Sequence, residues 1–214
     1  MREPTHHLDF SDASANPLES DDPAVWTRLI EALAPASLLI VIEERMGAAL
    51  RGRVNAEDIW QEVLLHAWRD RADCRWAGLA SFRRWLLGII DNRIHDARDF
   101  FGAAKRDGRR ERPIARATGT EGSAWLTEPM RSTTPSRVAV RHEEADHIRQ
   151  TLAGMPEDLR EVLRLRLFEN RTMEEVADSL GIGLSAAKHR YRKAAELYRD
   201  RLFRRLGTRN GQKG

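Results

Sequence analysis

The chain has 214 residues, of which 41% are hydrophobic and 32% charged, with a formal net charge of +3. This length suits one medium-sized domain or two small ones, and the composition is that of a globular protein with a heavily charged surface. The single cysteine, Cys74, excludes an internal disulfide and a cysteine-cluster metal site, which fits a reducing compartment.

The N-terminal segment is polar and aperiodic, so we predict a flexible tail over residues 1–21. It lacks the apolar core of a signal peptide. The longest apolar run, residues 36–42, is far shorter than the roughly 20 residues that a membrane-spanning helix needs. We therefore expect a cytoplasmic protein without membrane insertion.

Helical periodicity is nearly continuous over residues 22–100, which we predict to form a first domain. Asp22 is a good N-cap for its first helix, and Pro23 takes an early position where a missing N–H costs little. Gly47 and Gly52 then interrupt the pattern, which predicts a helix end near Arg53.

A second helix is predicted to begin after Asn55, because this residue is a favourable N-cap and Glu57 and Asp58 follow in the first turn, where the helix dipole favours anions. Its apolar residues recur at helical spacing and predict a core face. They are Ile59, Trp60, Val63, Leu64, Ala67 and Trp68.

A third helix is predicted over residues 81–99. Helical spacing assigns its apolar stripe to Phe82, Trp85 and Ile89, followed by Arg93, with Leu86 and Ile90 widening it.

Residues 101–140 are rich in Gly, Arg, Ser, Thr and Pro and show no sustained period, so we predict a flexible linker. Helical patterning returns over residues 141–207, the predicted second domain, and residues 208–214 form a short tail.

The second domain contains a pattern typical of a helix-turn-helix. Thr172 and Glu175 form a capping box that begins a short helix, and Gly181 follows where a left-handed residue is commonly needed. Ser185 can then open a second helix. In such motifs the second helix enters the major groove of DNA.

This second helix has two distinct faces. Ala187, Tyr191, Ala194 and Tyr198 recur at helical spacing and predict a packing face. Another face is polar and cationic, with side chains that can bond guanine edges and phosphates; it carries Lys188, His189, Arg192 and Lys193. The alternative is an ordinary solvated helix face.

Charge is polarised along the second domain. Residues 181–214 contain ten Lys or Arg against two acids, whereas residues 141–180 contain six Arg against ten acids. The basic end therefore coincides with the predicted reading helix, which favours DNA as the partner.

Two blocks together resemble extracytoplasmic-function (ECF) sigma factors of RNA polymerase. NAEDIWQEVLLHAW (residues 55–68) and FRRWLLGIIDN (residues 82–92) resemble region two of that family. MPEDLREVLRLRLFENRTMEEVADSLGI followed by KHRYRKA resembles region four. The order of the blocks also matches. The resemblance implies an all-α fold with two small helical domains, a three- or four-helix region two and a helix-turn-helix region four, joined by a flexible linker.

The resemblance implies an alternative sigma factor that binds core RNA polymerase and directs promoter recognition and transcription initiation. Asp58, Gln61 and Glu62 match residues that contact the clamp helices of the beta-prime subunit, and the beta flap is a second implied polymerase contact. Positions 58, 61, 62 and 65 also share a helix face separate from the core stripe. A solvated acidic patch is the competing interpretation.

The resemblance also implies two promoter-binding segments. The −10 element would be engaged by Phe82, Arg83, Arg84, Trp85, Asn92, Arg93 and Arg98. Core positions are a competing interpretation for Phe82 and Trp85, whereas arginines are favoured for DNA because charge is costly to bury. The −35 element would be contacted by Ser185, Lys188, His189, Arg190, Arg192 and Lys193.

The sequence departs from the family pattern at several positions. Ala186 and Ala187 stand where Thr-Val is frequent, and His189 replaces a common Ser. Leu87 and Gly88 replace a frequent aromatic-Arg pair. These departures predict altered contacts at both promoter elements.

Promoter DNA and core polymerase are thus the expected partners, with an anti-sigma protein as a further candidate and no cofactor or metal. A stand-alone helix-turn-helix regulator is the alternative, but it leaves the first block unexplained. We expect no enzymatic activity, because the histidines lack metal-ligand spacing and no phosphate-binding glycine loop occurs.

Overall fold

The computed structural model describes residues 16–107 and 135–210. Most of the predicted N-terminal tail, the middle of the predicted linker and the last four residues lie outside the described residues. Within the described ranges all regular structure is helical, which confirms the predicted all-α fold class. No single helix there is long and apolar enough to cross a membrane. The bent pair Pro23–Ala32 and Pro35–Arg51 has the required length and apolar composition only when its two helices are taken together.

The described residues form eight α-helices. These are α1 Pro23–Ala32, α2 Pro35–Arg51, α3 Ala56–Arg69, α4 Leu79–Asp107, α5 Pro135–Ala153, α6 Glu157–Leu163, α7 Met173–Leu180 and α8 Leu184–Asn210. A π-helical segment, Arg164–Phe168, follows α6, and short 3-10 helices cover Pro17–Glu19 and Arg71–Asp73.

The described residues divide into two compact units. The first contains residues 16–35 and 48–107, and the second contains residues 36–47 and 135–210. Helical periodicity did not indicate that residues 36–47 pack with the C-terminal half. The predicted boundaries at residues 22–100 and 141–207 remain predictions.

The first helix begins as predicted. The Asp22 side chain accepts a hydrogen bond from the Ala24 N–H at 2.8 Å, and Pro23 occupies the first turn. The helical stretch is nevertheless broken earlier than expected, because Ala34 adopts a left-handed φ of 54° before Pro35. A residue before proline is disfavoured in the right-handed helical region, which explains the break. Gly47, at φ 69°, interrupts α2.

The predicted beginning and core face of α3 are confirmed. Asn55 accepts from the Glu57 N–H at 3.1 Å, and Asp58 accepts from the Asn55 N–H at 3.4 Å, which completes a capping box. All six residues predicted for the core face are buried.

The predicted stripe of α4 is confirmed at Phe82, Leu86 and Ile90, but its centre differs from the prediction. Phe82, Leu86 and Ile90 are fully buried and continue through Ile94 and Ala97. Trp85, Ile89 and Arg93 are only half-buried and lie at the edge of the stripe. The centre of the stripe was predicted wrongly because apolar residues occur on both diagonals of the helix as far as Ile90, so spacing alone did not select the buried one.

The ends of the predicted linker are helical. Helix α4 continues to Asp107 and α5 begins at Pro135, so residues 101–107 and 135–140 belong to helices. The predicted third helix is therefore longer than residues 81–99.

The C-terminal unit is built on a small apolar core. Its main cluster contains Val162, Leu165, Val176, Ala177 and Ala187. A charged network lies beside it: Arg164 donates to both carboxylate oxygens of Glu161 at 2.6 and 3.0 Å and also pairs with Glu169. These ion pairs hold the π-helical segment that leads to α7.

Candidate nucleic-acid and partner interfaces

Helices α7 and α8 form the predicted helix-turn-helix. Thr172 and Glu175 make both reciprocal hydrogen bonds of a capping box, at 3.2 and 2.7 Å. Gly181 takes a left-handed φ of 61°, and the Ile182 N–H donates to the Ala177 carbonyl at 3.0 Å. This C-cap closes α7 and allows the chain to turn before α8 begins at Leu184, one residue before the predicted start.

The two predicted faces of α8 are separate in the structure. Ala187 and Ala194 are fully buried, while Tyr191 and Tyr198 are half-buried beside them. Burial also raises the pKa of the Tyr198 hydroxyl. The packing face is therefore confirmed as structural.

The residues predicted for −35 contact lie on the solvent side of α8. Arg190 alone among them is half-buried; the exposed ones are Ser185, Lys188, His189, Arg192 and Lys193. Four of the exposed residues form two adjacent pairs one helical turn apart, so a groove could receive them together. They are Lys188, His189, Arg192 and Lys193.

The residues predicted for polymerase contact lie on one side of α3 but differ in how exposed their side chains are. Asp58 is exposed, whereas Gln61 and Glu62 are half-buried. Gln61 donates from Nε2 to Glu57 at 2.9 Å. Burial raises the pKa of the Glu62 carboxyl, and the nearby Arg93 guanidinium partly offsets this increase.

Two residues predicted for −10 contact are interior. Phe82 is fully buried and lies 6.0 Å from Trp26 and 5.7 Å from Trp85, measured between ring centroids. Arg83 is 8% exposed, its Nη1 donates to the Leu33 carbonyl at 2.6 Å, and burial lowers its pKa to about 10.

The expectation that Arg83 avoids burial is wrong, because its guanidinium supplies a donor to the Leu33 carbonyl at the end of α1. In this structure neither Phe82 nor Arg83 presents a surface to DNA. The half-buried Trp85 stacks on Phe82 and so combines a packing contact with partial exposure.

The remaining −10 candidates lie along the outer side of α4. Arg84, Asn92 and Arg98 are exposed. Arg93 is half-buried and bonds to Asp96 at 2.7 Å. From Arg84 to Arg98 they offer cationic and amide donors over about four helical turns, which suits a nucleic-acid backbone.

A histidine missed by the sequence analysis joins α3 to α4. His66 Nε2 lies 2.9 Å from Arg93 Nη1, and His66 Nδ1 lies 2.7 Å from Arg69 Nη2. Its spacing of three residues from Arg69 is the only signal in the sequence, and that spacing does not reveal the contact with α4. Within the part of the chain that the structure describes, no His, Cys, Asp and Glu side chains are grouped to hold a metal ion.

Family models match both halves of the chain in the order that the resemblance predicts. Sigma-70 region 2 matches residues 44–99, and sigma-70 region 4 matches residues 151–197. The chain belongs to the sigma-70 family. The region 2 match contains every residue predicted for polymerase and −10 contact, and the region 4 match contains every residue predicted for −35 contact.

Two curated relatives both have names that describe RNA polymerase sigma factors. One is a probable RNA polymerase sigma factor RfaY of Xanthomonas campestris, 30% identical over 161 residues that cover 75% of this chain and 37% of the relative. Another is the RNA polymerase sigma-H factor of Pseudomonas aeruginosa, 29% identical over 142 residues that cover 66% of this chain and 69% of the relative. This sigma-70 family chain thus spans little more than a third of one relative and about two thirds of the other.

Proposed function

We propose that this chain is an alternative sigma factor of the ECF type, which binds core RNA polymerase and directs it to promoters to initiate transcription. The single observation that carries this proposal is the ordered pair of matches to sigma-70 regions 2 and 4. The names of both relatives agree with it. The comparisons give no support to a stand-alone regulator.

The C-terminal unit would read the −35 element through α8. Lys188 and Arg192 are one turn apart and exposed, so both can enter one groove while the buried Ala187 and Ala194 keep the opposite face on the core. Arg and Lys donate to guanine edges and to phosphates, which supplies both sequence preference and salt-dependent affinity.

The N-terminal unit would engage the −10 element through α4. Arg84, Asn92 and Arg98 would hold the DNA backbone, and the exposed part of Trp85 would stack on an unpaired base. Phe82 and Arg83 would act from inside, by packing beneath Trp85 and by joining α4 to the end of α1.

Polymerase would dock on the side of α3 that carries Asp58, Gln61 and Glu62. A cationic partner surface would pair with the exposed carboxylate of Asp58 and with the half-buried carboxylate of Glu62. Such pairing would favour the charged form of Glu62, whose pKa is raised in the free chain.

This proposal assigns no catalytic step to the chain. RNA synthesis would belong to the polymerase, and the binding energy of this chain would position the enzyme and stabilise unpaired DNA. The clamp helices of beta-prime, the beta flap, promoter DNA and an anti-sigma protein are the proposed partners, and the cytoplasm the proposed location.

The first experiment is a pull-down of purified bacterial core RNA polymerase by the full chain. We expect stoichiometric binding that Gln61→Ala with Glu62→Arg reduces, because the double substitution removes one donor and reverses one charge on the docking side. Glu19→Arg, a charge reversal at an exposed acid of the same unit, is the matched control and should bind normally. Wild-type chain that binds specific duplex DNA but no polymerase would contradict the proposal.

A promoter library read by the reconstituted holoenzyme tests the C-terminal unit separately. Lys188→Ala with Arg192→Ala should remove −35 preference and leave polymerase binding intact. The charge-conserving pair Lys188→Arg with Arg192→Lys separates base reading from simple attraction, because the two side chains differ in hydrogen-bond geometry. Unchanged promoter choice in the alanine pair would count against this assignment.

A further inference from the structure

The cluster around His66 contains more hydrogen-bond donors than acceptors. Both ring nitrogens of His66 face guanidinium groups, Arg69 at 2.7 Å and Arg93 at 2.9 Å. A neutral imidazole has one accepting nitrogen and one N–H, and a guanidinium only donates. At any moment, therefore, one of these contacts is a hydrogen bond and the other places a donor against a donor.

Protonation of His66 would worsen this conflict, because both ring nitrogens would then donate. Burial, Arg93 and Arg69 lower the pKa of His66, while Asp70 and Asp96 act in the opposite direction. The ring is thus held neutral.

The two arginines differ in how well they are otherwise satisfied. Arg69 donates from two nitrogens to both carboxylate oxygens of Asp70, at 2.6 and 2.8 Å. Arg93 bonds to Asp96, but its Nε is buried and has no acceptor among the described residues. Arg93 is therefore the member of the cluster that gains most from an additional acceptor.

Arg93 also lies between the two surfaces to which the proposed function assigns partners. It stands on α4 among the −10 candidates, and its charge acts to lower the pKa of Glu62 on the docking side of α3 against the larger effect of burial. A polymerase cation that pairs with Glu62 would weaken the electrostatic attraction between that carboxylate and Arg93.

We propose that His66 is a positioning residue for Arg93, which it holds by one exchangeable hydrogen bond until a phosphate oxygen of the promoter replaces it. This inference rests on the proposed function. The imidazole orients the guanidinium at the edge of α4 without the strength of a carboxylate pair, so that a phosphate, which forms stronger charge-assisted bonds, displaces it.

The test exploits the difference between a weak and a strong acceptor at position 66. Holoenzymes made with wild-type chain, His66→Gln, His66→Glu and Arg93→Ala are titrated with a fork-junction DNA that carries the −10 element. His66→Glu should lock Arg93 and weaken DNA binding by at least roughly fivefold, close to the effect of Arg93→Ala. His66→Gln, which keeps one acceptor and one donor, should bind within about twofold of wild type.

Two controls separate this mechanism from simple charge repulsion. His95→Glu adds the same charge at an exposed position of α4 and should weaken DNA binding less. The double variant His66→Glu with Arg93→Ala should be no weaker than Arg93→Ala alone, because the effect acts through Arg93. Multiplicative losses in the double variant would overturn the proposal.

A measurement on the free chain is independent of polymerase. The pKa of the His66 ring, followed by NMR, should rise when Arg93 is replaced by alanine and should stay unchanged in Arg84→Ala. No rise would overturn the His66–Arg93 contact. Wild-type holoenzyme that fails to form would instead overturn the proposed function and the phosphate exchange, while the ring titration would still report on the contact.

Discussion

The two units use their cationic residues in different ways. In the helix-turn-helix, Lys188, Arg192 and Lys193 project to solvent and the buried alanines of α8 occupy the opposite side. In the N-terminal unit, Arg83 is buried, and Arg93 is held by His66 and Asp96. In the proposed function, the cations of the helix-turn-helix would meet DNA without rearrangement, whereas Arg93 would first exchange an internal contact.

The difference follows from how each α-helix is packed. Small alanines let α8 pack closely on the core, so its cations need not contribute to packing. Helix α4 packs among large aromatic rings and against the turn after α1, where an uncapped carbonyl of Leu33 requires a donor. Partner binding by the N-terminal unit should therefore be more sensitive to substitutions that affect folding.

The largest expected effect comes from Phe82→Ala. Removal of this fully buried ring should lower the free energy of unfolding of the N-terminal unit by about 3–5 kcal/mol. Five of the six tryptophans lie in the N-terminal unit and none lies in residues 135–210, so tryptophan fluorescence during urea unfolding reports on the N-terminal unit. Phe203→Ala is the matched control, because that ring is 67% exposed in the C-terminal unit. An unchanged midpoint for Phe82→Ala would show that the ring is not a core residue.

A smaller loss is expected for Arg83→Met. The variant keeps the aliphatic volume but leaves the Leu33 carbonyl without the donor from Arg83, which should cost about 1–3 kcal/mol in urea unfolding. Its exposed neighbour provides the contrast: Arg84→Met should change stability by less than about 0.5 kcal/mol and weaken −10 DNA binding. Equal unfolding free energies for Arg83→Met and Arg84→Met would contradict the structural role of the Arg83 hydrogen bond.

Glycine substitutions compare backbone requirements in the two units. Gly181→Ala should lower C-terminal stability by roughly 1 kcal/mol, because alanine disfavours a φ of 61°. Gly88→Ala should raise N-terminal stability by up to about 1 kcal/mol, since Gly88 lies inside α4 and, apart from its chain neighbours and the local helix backbone, nothing lies within 4 Å of an added Cβ. Circular dichroism thermal melts measure both, and a stabilising Gly181→Ala would refute the strained cap.

The smallest expected effect is a pH dependence from His66. Its folded pKa lies below the ordinary 6.5, so the native state binds fewer protons and the unfolding free energy falls as pH drops from 6.5 towards the folded pKa. His66→Gln should flatten this slope in tryptophan-detected unfolding. The raised pKa of Glu62 makes the unfolding free energy change in the opposite direction at lower pH. Glu62 is present in both the wild type and His66→Gln, so its contribution cancels when the two slopes are subtracted. Identical slopes would mean that His66 is not held neutral.

The sequence by itself determined the helix caps, the all-α class, the helix-turn-helix and the family. Asn55, Thr172 and Gly181 act within a few residues, so their hydrogen bonds and backbone angles follow from local chemistry. The faces of α3 and α8 were also predictable, because each has one clear apolar diagonal. Region 2 and region 4 were recognisable from short blocks of adjacent residues.

Tertiary structure decided which diagonal of α4 is buried, that Arg83 is interior and that His66 contacts Arg93. Both diagonals of α4 are apolar as far as Ile90, and the structure shows that the rings of Trp26 and Trp76 pack around Phe82. Arg83 and Leu33 are 50 residues apart, as His66 and Arg93 are 27 apart. Such contacts depend on the path of the chain between the partners, whereas periodicity reports only on neighbours along one helix.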